Sequence, residues 1–203
     1  MNNRTVRFLL NPFERIAGFQ ALSWGFLGLV LSIGLAYFTD YHYHGLLHYG
    51  SAPNPVWWCF MAEHFIVWLI PALLFYIGGM LLSRSKIRAL DVFGTVLFAQ
   101  IPLLFTNLIV FLPFYKQMSA IDPTGPLQEQ IAQASELMLQ PGFWLGLWLS
   151  LVAFVFVIWM GYLMFKALAV SCNLKGTKLA ILFCIGFFGG DFICRIIINL
   201  LYS

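Results

Sequence analysis

Hydrophobic residues in this chain gather into five long runs separated by short polar stretches. The runs cover about 19–38, 56–82, 91–113, 142–165 and 178–201. Each is continuous rather than alternating, which predicts helices and argues against the two-residue period of a membrane β-barrel. At about 1.5 Å per residue, each run is long enough to cross a hydrocarbon core of about 30 Å. The pattern predicts an all-α polytopic membrane protein, with residues 1–203 forming one five-helix membrane domain.

Two weaker helical signals lie outside the runs. Asn11-Pro12-Phe13-Glu14 places a capping residue, a proline at the first helical position and a glutamate at the third. This resembles a capping box and predicts a short interfacial helix, or else the first turns of span one. In the connection from Phe114 to Pro141, the turn cluster Asp122-Pro123-Thr124-Gly125-Pro126 precedes Leu127, Ile131, Ala134 and Met138 at helical spacing. These predict an amphipathic helix resting on the outer leaflet or on the bundle.

Composition sharpens the reading. Of 203 residues, 61% are hydrophobic and 9% charged, against about a quarter charged in soluble domains. That excludes a water-soluble globule, and leaves no room for a separate soluble catalytic domain. Cys59, Cys172, Cys184 and Cys194 show no CxxC spacing and read as small buried hydrophobes. Arg4, Arg7 and Arg15 precede span one without a following small-residue cleavage site, so span one is expected to remain as an uncleaved anchor.

Charge placement predicts orientation. Arg4, Arg7 and Arg15 come before span one, Arg84, Lys86 and Arg88 between spans two and three, and Lys166, Lys175 and Lys178 between spans four and five. The two remaining loops hold only Lys116. By the positive-inside rule the N-terminus and the basic loops are cytoplasmic and the C-terminus is outside. Tyr37, Tyr41, Tyr43, Trp57 and Trp58 then fall at the outer interface, where amphipathic rings favour the headgroups.

Ionisable groups inside a bilayer are costly and are functional candidates by default. Glu63 and His64 lie about 10 Å into span two, and Asp191 and Arg195 roughly 20 and 26 Å beyond Lys178 in span five. Asn107 of span three and Asn199 of span five sit at similar depth. Asp191 and Arg195, four apart on a helix, are expected to pair; Glu63 either joins Arg195 or stands protonated. The Glu63, His64, Asn107, Asp191 and Arg195 set is therefore either a staple fixing helix register or a polar cavity for an ion, proton or headgroup. His42, His44 and His48 crowd the first outer loop. His44 and His48 would share a face if the loop were helical, and histidines so spaced are weak candidates for zinc or copper. No cysteine completes a set, and no cofactor is expected. Pro71 and Pro102 lie near mid-membrane, each freeing a carbonyl one turn earlier, at Val67 and Phe98; such kinks either frame a cavity or serve packing. Gly142 with Gly146, and Gly186 with Gly190, form small-xxx-small faces for helix packing or homo-oligomers. Gly189-Gly190 should loosen span five beside Asp191.

Several segments together resemble the Yip family, five-span proteins named for interaction with Rab-type GTPases, and most of all its bacterial branch. They are Phe8-Leu9-Leu10-Asn11-Pro12-Phe13 ahead of span one, Ala89-Leu90-Asp91-Val92-Phe93 leading to Gln100-Ile101-Pro102 in span three, Lys166-Ala167-Leu168, and the run Ser171-Cys172-Asn173-Leu174-Lys175-Gly176-Thr177-Lys178-Leu179-Ala180. The resemblance implies five helices, a cytoplasmic N-terminus and an outside C-terminus in a bacterial inner membrane. Eukaryotic members, linked to vesicle traffic and small-GTPase binding, carry a longer N-terminal region and an Asp-Leu-Tyr-Gly-Pro type motif. Neither appears here, so the GTPase role does not carry over and no family site residues are transferred.

Three function classes follow. A non-enzymatic scaffold or adaptor would work through membrane lipids and protein partners at the basic loops, with no nucleic acid. A small transporter, channel or lipid-handling protein would use the outer-half polar cluster. An intramembrane enzyme would need a nucleophile or metal set that the spans do not supply.

Overall fold

The computed structural model describes residues 9–50, 52, 55–110, 112, 126–140 and 142–202. Arg4, Arg7, Phe8, Pro113, Lys116, Pro141 and the turn residues 122–125 lie outside them. Five helices long and apolar enough to cross a membrane are present: Gly18–Thr39, Cys59–Leu82, Ala89–Val110, Phe143–Ser171 and Gly176–Leu201. Among the described residues the protein is all-α apart from a two-stranded antiparallel ribbon, β1 (His42–Tyr43) paired with β2 (Tyr49–Gly50).

Span three is the central helix. Buried residues make up 56% of its apolar window, against 22–39% in the other four. Span one packs along its first half, span four along its whole length, and span two beside it; span five lies mainly against span two. Phe75, Val92, Val96, Met160, Met164 and Leu168 fill the centre. Outward positions carry large apolar side chains such as Phe19, Trp24, Leu81 and Trp148, the surface that a hydrocarbon solvent accepts.

Small residues set the helix spacing. A Cβ at Gly25 would lie 2.7 Å from the Phe98 amide nitrogen and 2.8 Å from Leu97 Cγ. A Cβ at Gly94 would lie 2.7 Å from the Gly18 carbonyl oxygen. Spans one and three thus meet backbone to backbone, as small residues allow where lipid gives no hydrophobic drive for association. Gly186 faces the Phe75 ring, and a Cβ at Gly190 would lie 3.3 Å from Pro71 Cβ. That glycine face of span five is taken up by packing within the chain. Gly142 stands at the start of span four and Gly146 is buried one turn later.

The helices depart from the sequence pattern in ways that have physical causes. Span three is broken at Gln100-Ile101 into Ala89–Ala99 and Pro102–Val110, because Pro102 has no N–H for the ladder. The Phe98 carbonyl accepts the Ile101 N–H instead, at 3.1 Å. Pro71 similarly frees the Val67 carbonyl, which accepts the Gln100 side-chain amide at 3.0 Å. The two proline sites are therefore joined through one glutamine. Span four runs on to Ser171, six residues past the apolar run. Ala167, Leu168, Ala169 and Val170 continue the helix, so Lys166 sits within it, its ammonium 5.4 Å from the Tyr162 ring centre. Span five contains a π-helical turn over Ile185–Gly189, ending two residues before Asp191, and such turns shift the register of the following residues.

The N-terminal signal is realised as a single 3₁₀ turn, Pro12–Glu14. Asn11 Nδ2 donates to Glu14 Oε1 at 2.9 Å, so the two polar side chains bond each other rather than the backbone. Phe13 is buried edge-on against Phe98, which docks the turn on the bundle. Gly18, with φ +55°, then starts span one as a separate helix. The amphipathic helix forms over Leu127–Leu139 and buries no residue. All four cysteines are free.

Candidate functional site

The inward stripe of span two runs Phe60, Glu63, His64, Val67, Pro71 and Phe75, all buried. This three–four spacing places Glu63 and His64 on the face turned to the core. The inward stripe of span one carries Ser32, that of span three Thr106 and Asn107, and that of span five Asp191, Cys194 and Ile198. Into the gap between these helices comes the loop that joins spans one and two. It is a hairpin, which corrects the helical reading of His44 and His48. Its strands pair His42 with Gly50 and Tyr43 with Tyr49, and the His44 N–H donates to the His48 carbonyl at 2.8 Å. Its tip residue Leu46 is fully buried.

Two carboxylates hold the hairpin in the same way. Glu63 Oε2 accepts the Tyr43 backbone N–H at 2.9 Å, and Oε1 accepts His42 Nδ1 at 2.8 Å. The Tyr202 hydroxyl, just past the end of span five, also donates to Oε1. Asp191 Oδ1 accepts the Leu47 backbone N–H at 2.9 Å, and Oδ2 lies 3.1 Å from His48 Nδ1. Each acid thus takes one backbone N–H and one histidine from the same loop. Among the described residues Asp191 forms no ion pair with Arg195, and Glu63 none with Arg195. The expected Asp191–Arg195 pairing is corrected, and of the two alternatives left for Glu63 the one with Arg195 is not realised. The reason is steric and electrostatic: the loop enters between them. A Cβ on Gly45 would lie 2.5 Å from Asp191 Oδ1 and 3.2 Å from Arg195 Cγ. Loop donors therefore occupy both oxygens of the carboxylate that Arg195 would need.

Tyr43 carries the network inward. Its hydroxyl donates to Asn107 Oδ1 at 2.9 Å. Asn107 Nδ2 donates to Ser32 Oγ at 2.6 Å, and Ser32 Oγ lies 3.0 Å from His64 Nε2. His64 Nδ1 lies 2.7 Å from the Phe60 carbonyl, which can only accept. Nδ1 therefore bears the proton, Nε2 accepts from Ser32, and every donor in the chain has one direction. Burial, the largest cause, pushes the Tyr43 phenol up to about 12. Burial and the bond to Glu63 push the Tyr202 phenol upward as well. Both remain neutral donors at neutral pH.

Beside Ser32, Tyr43, His64 and Gln100 is a cavity of about 30 Å³, with mostly apolar walls. That is room for one or two waters. The three loop histidines do not converge. His42 is taken by Glu63 and stacks on Phe60 with ring centres 4.1 Å apart; His48 is taken by Asp191. His42 Nε2 is buried with no hydrogen bond, and Asp40 Oδ1 stands 3.7 Å away. Among the described residues no group of three or more histidine, cysteine or acidic side chains forms a metal site. Arg195 and Asn199 face outward on span five.

Tyr43, Tyr202, Ser32, Gly45 and Gln100 are the members that sequence reasoning missed. Tyr43 is 2% exposed and turned inward, not an interfacial anchor, whereas Tyr37 and Trp57 are exposed as expected. The string His42-Tyr43-His44-Gly45-Leu46-Leu47-His48, a glycine among aromatic and β-compatible residues, held the signal for a hairpin.

A family model, the Yip1 domain, matches residues 7–194. Comparison with curated proteins and with solved structures gave no match. The match runs from the segment ahead of span one to Cys194, and takes in the hairpin, Glu63 and Asp191. This chain, an integral membrane protein with five apolar helices, belongs to the Yip1 domain family.

Proposed function

We propose that this protein is a non-enzymatic scaffold or adaptor in membrane organisation, seated in a bacterial inner membrane with its N-terminus in the cytoplasm and its C-terminus outside. The observation that carries the reading is the use made of Glu63 and Asp191. Each carboxylate is filled by donors of the chain's own hairpin, which leaves no acceptor turned to a substrate path. The cavity further in, beside Ser32, Tyr43 and His64, holds no more than one or two waters. Arg84, Lys175 and Lys178 line an open cleft of about 370 Å³ at the other end of the bundle, a surface suited to an acidic segment of a protein partner. The same clustering of basic residues supports the orientation.

Flux through proteoliposomes tests this, with protons, monovalent ions and labelled lipids as probes. The expected result is a rate equal to that of protein-free vesicles, for wild type and Glu63→Gln alike. Flux in the wild type that disappears in a folded Glu63→Gln variant would replace the scaffold reading with transport.

A further inference from the structure

A second polar feature lies where the hairpin meets span five near Asp191. There the loop and the outer half of span five enclose a cleft of about 460 Å³, lined by His44, Leu47, His48, Tyr49, Arg195 and Asn199. We propose that this cleft binds the phosphate diester of a lipid headgroup in the adjoining leaflet.

Arg195 is the centre of the argument. Its guanidinium is always charged and cannot discard its proton to suit an apolar setting. It sits six residues before Leu201, the last residue of span five, hence about 9 Å inside the helix end. With the span centred in the bilayer that is a few ångström on the hydrocarbon side of the phosphate and glycerol groups, within reach of a guanidinium that snorkels toward them. The carboxylate one turn earlier, Asp191, belongs to Leu47 and His48. Among the described residues no hydrogen bond or ion pair reaches Arg195, and its side chain is exposed. A cation so placed inside a span requires an anion or access to the interface.

The rest of the cleft is complementary to an oxyanion. Asn199 lies one turn beyond Arg195 on the same face, exposed, and offers two amide N–H donors. His48 is half-exposed, and with Nδ1 held by Asp191 its Nε2 is the atom open to the cleft. Among the described residues no carboxylate lines the cleft. A guanidinium fork beside an amide matches two oxygens of one phosphate. The cleft opens on the flank of a membrane-spanning helix, where a lipid arrives laterally, and this favours a headgroup over a soluble anion.

Native mass spectrometry of the detergent-solubilised full chain, titrated with dihexanoyl phosphatidylglycerol, tests the proposal. Wild type is expected to retain one bound lipid, and Arg195→Gln to weaken retention at least tenfold. Arg195→Lys, which keeps charge but loses the fork, should fall between. Equal retention by wild type and Arg195→Gln, or none by wild type, would overturn the site. Inorganic phosphate displacing the lipid at comparable concentration would overturn the lipid as its source. If Arg195→Gln does not fold, Asn199→Ala carries the same test with an expected loss of a few-fold, because that exposed side chain holds nothing together in the bundle; unchanged retention by it would overturn the proposal.

Discussion

Replacing Glu63 separates a hydrogen-bonding role from a charge role. In Glu63→Ala, the Tyr43 N–H, His42 Nδ1 and the Tyr202 hydroxyl lose their acceptor at a position with no solvent exposure. Tyr202 is partly exposed and can turn to water. The Tyr43 N–H and His42 cannot, and a buried donor left unsatisfied costs about 1–3 kcal/mol. With the lost packing of the side chain the total is about 4 kcal/mol, in the range for breaking a buried pair. Glu63→Gln should be milder. Its carbonyl can accept the Tyr43 N–H while its amide donates to the Tyr202 oxygen and to His42 Nδ1, which becomes an acceptor by moving its proton to Nε2. Only the charge assistance is lost, about 1–2 kcal/mol. Thermal unfolding in detergent reads the difference at about 2–4 °C per kcal/mol for a chain of this size. The expected drops are about 12 °C for Glu63→Ala and about 5 °C for Glu63→Gln. His42→Ala combined with Glu63→Ala should cost about 2 kcal/mol less than the sum of the single changes. A Glu63→Ala protein within about 2 °C of wild type, or a Glu63→Gln protein as damaged as Glu63→Ala, would refute the role of Glu63 as the buried acceptor of these donors.

Three further outcomes follow from the packing. Gly45→Ala drives a methyl group into Asp191 Oδ1 and should cost about 1–3 kcal/mol, read as a lower thermal midpoint and faster proteolysis within residues 42–50. Gly25→Ala forces spans one and three apart at the Leu97–Phe98 backbone; a similar loss is expected, and an unchanged midpoint would contradict the close approach. Tyr43 has its folded pKa raised from 10.0 to about 12. The native state therefore binds more protons than the unfolded state between these values, so the stabilisation is complete below about pH 10 and is lost as pH rises through about 12. Two pH units correspond to about 3 kcal/mol. Tyr43→Phe should show a shallower alkaline decline, in unfolding followed from pH 9 to pH 12.

Much of the fold was legible because it depends on run length. Five continuous apolar stretches locate five helices within a few residues, and Pro102 announces the break in span three. The exceptions have local causes. Lys166 reads as a loop residue, yet Ala167 to Val170 extend the helix and its long stem reaches back along Tyr162. The polar site was legible only in its parts. Glu63, His64, Asn107 and Asp191 stand out as polar groups in apolar runs, but their partners are set by tertiary structure. Local spacing pairs Asp191 with Arg195; the structure gives Asp191 to a loop more than 140 residues earlier in the chain. Glu63 lacks a basic neighbour in sequence because its partners are His42, the Tyr43 amide and Tyr202. Backbone amides are invisible to a search for charged side chains, and here they supply one contact to each acid.

The most direct test of the account is hydrogen exchange at the Tyr43 and Leu47 amides, read by mass spectrometry on peptides covering residues 41–50. If Glu63 and Asp191 hold the hairpin, both amides are protected in the wild type although they lie in a loop. Glu63→Ala should speed exchange at Tyr43, and Asp191→Ala at Leu47, each by about 100-fold for a loss of about 3 kcal/mol in local opening. Rapid exchange of both amides in the wild type, or protection unmoved by either substitution, would contradict the assignment of the two carboxylates to the loop.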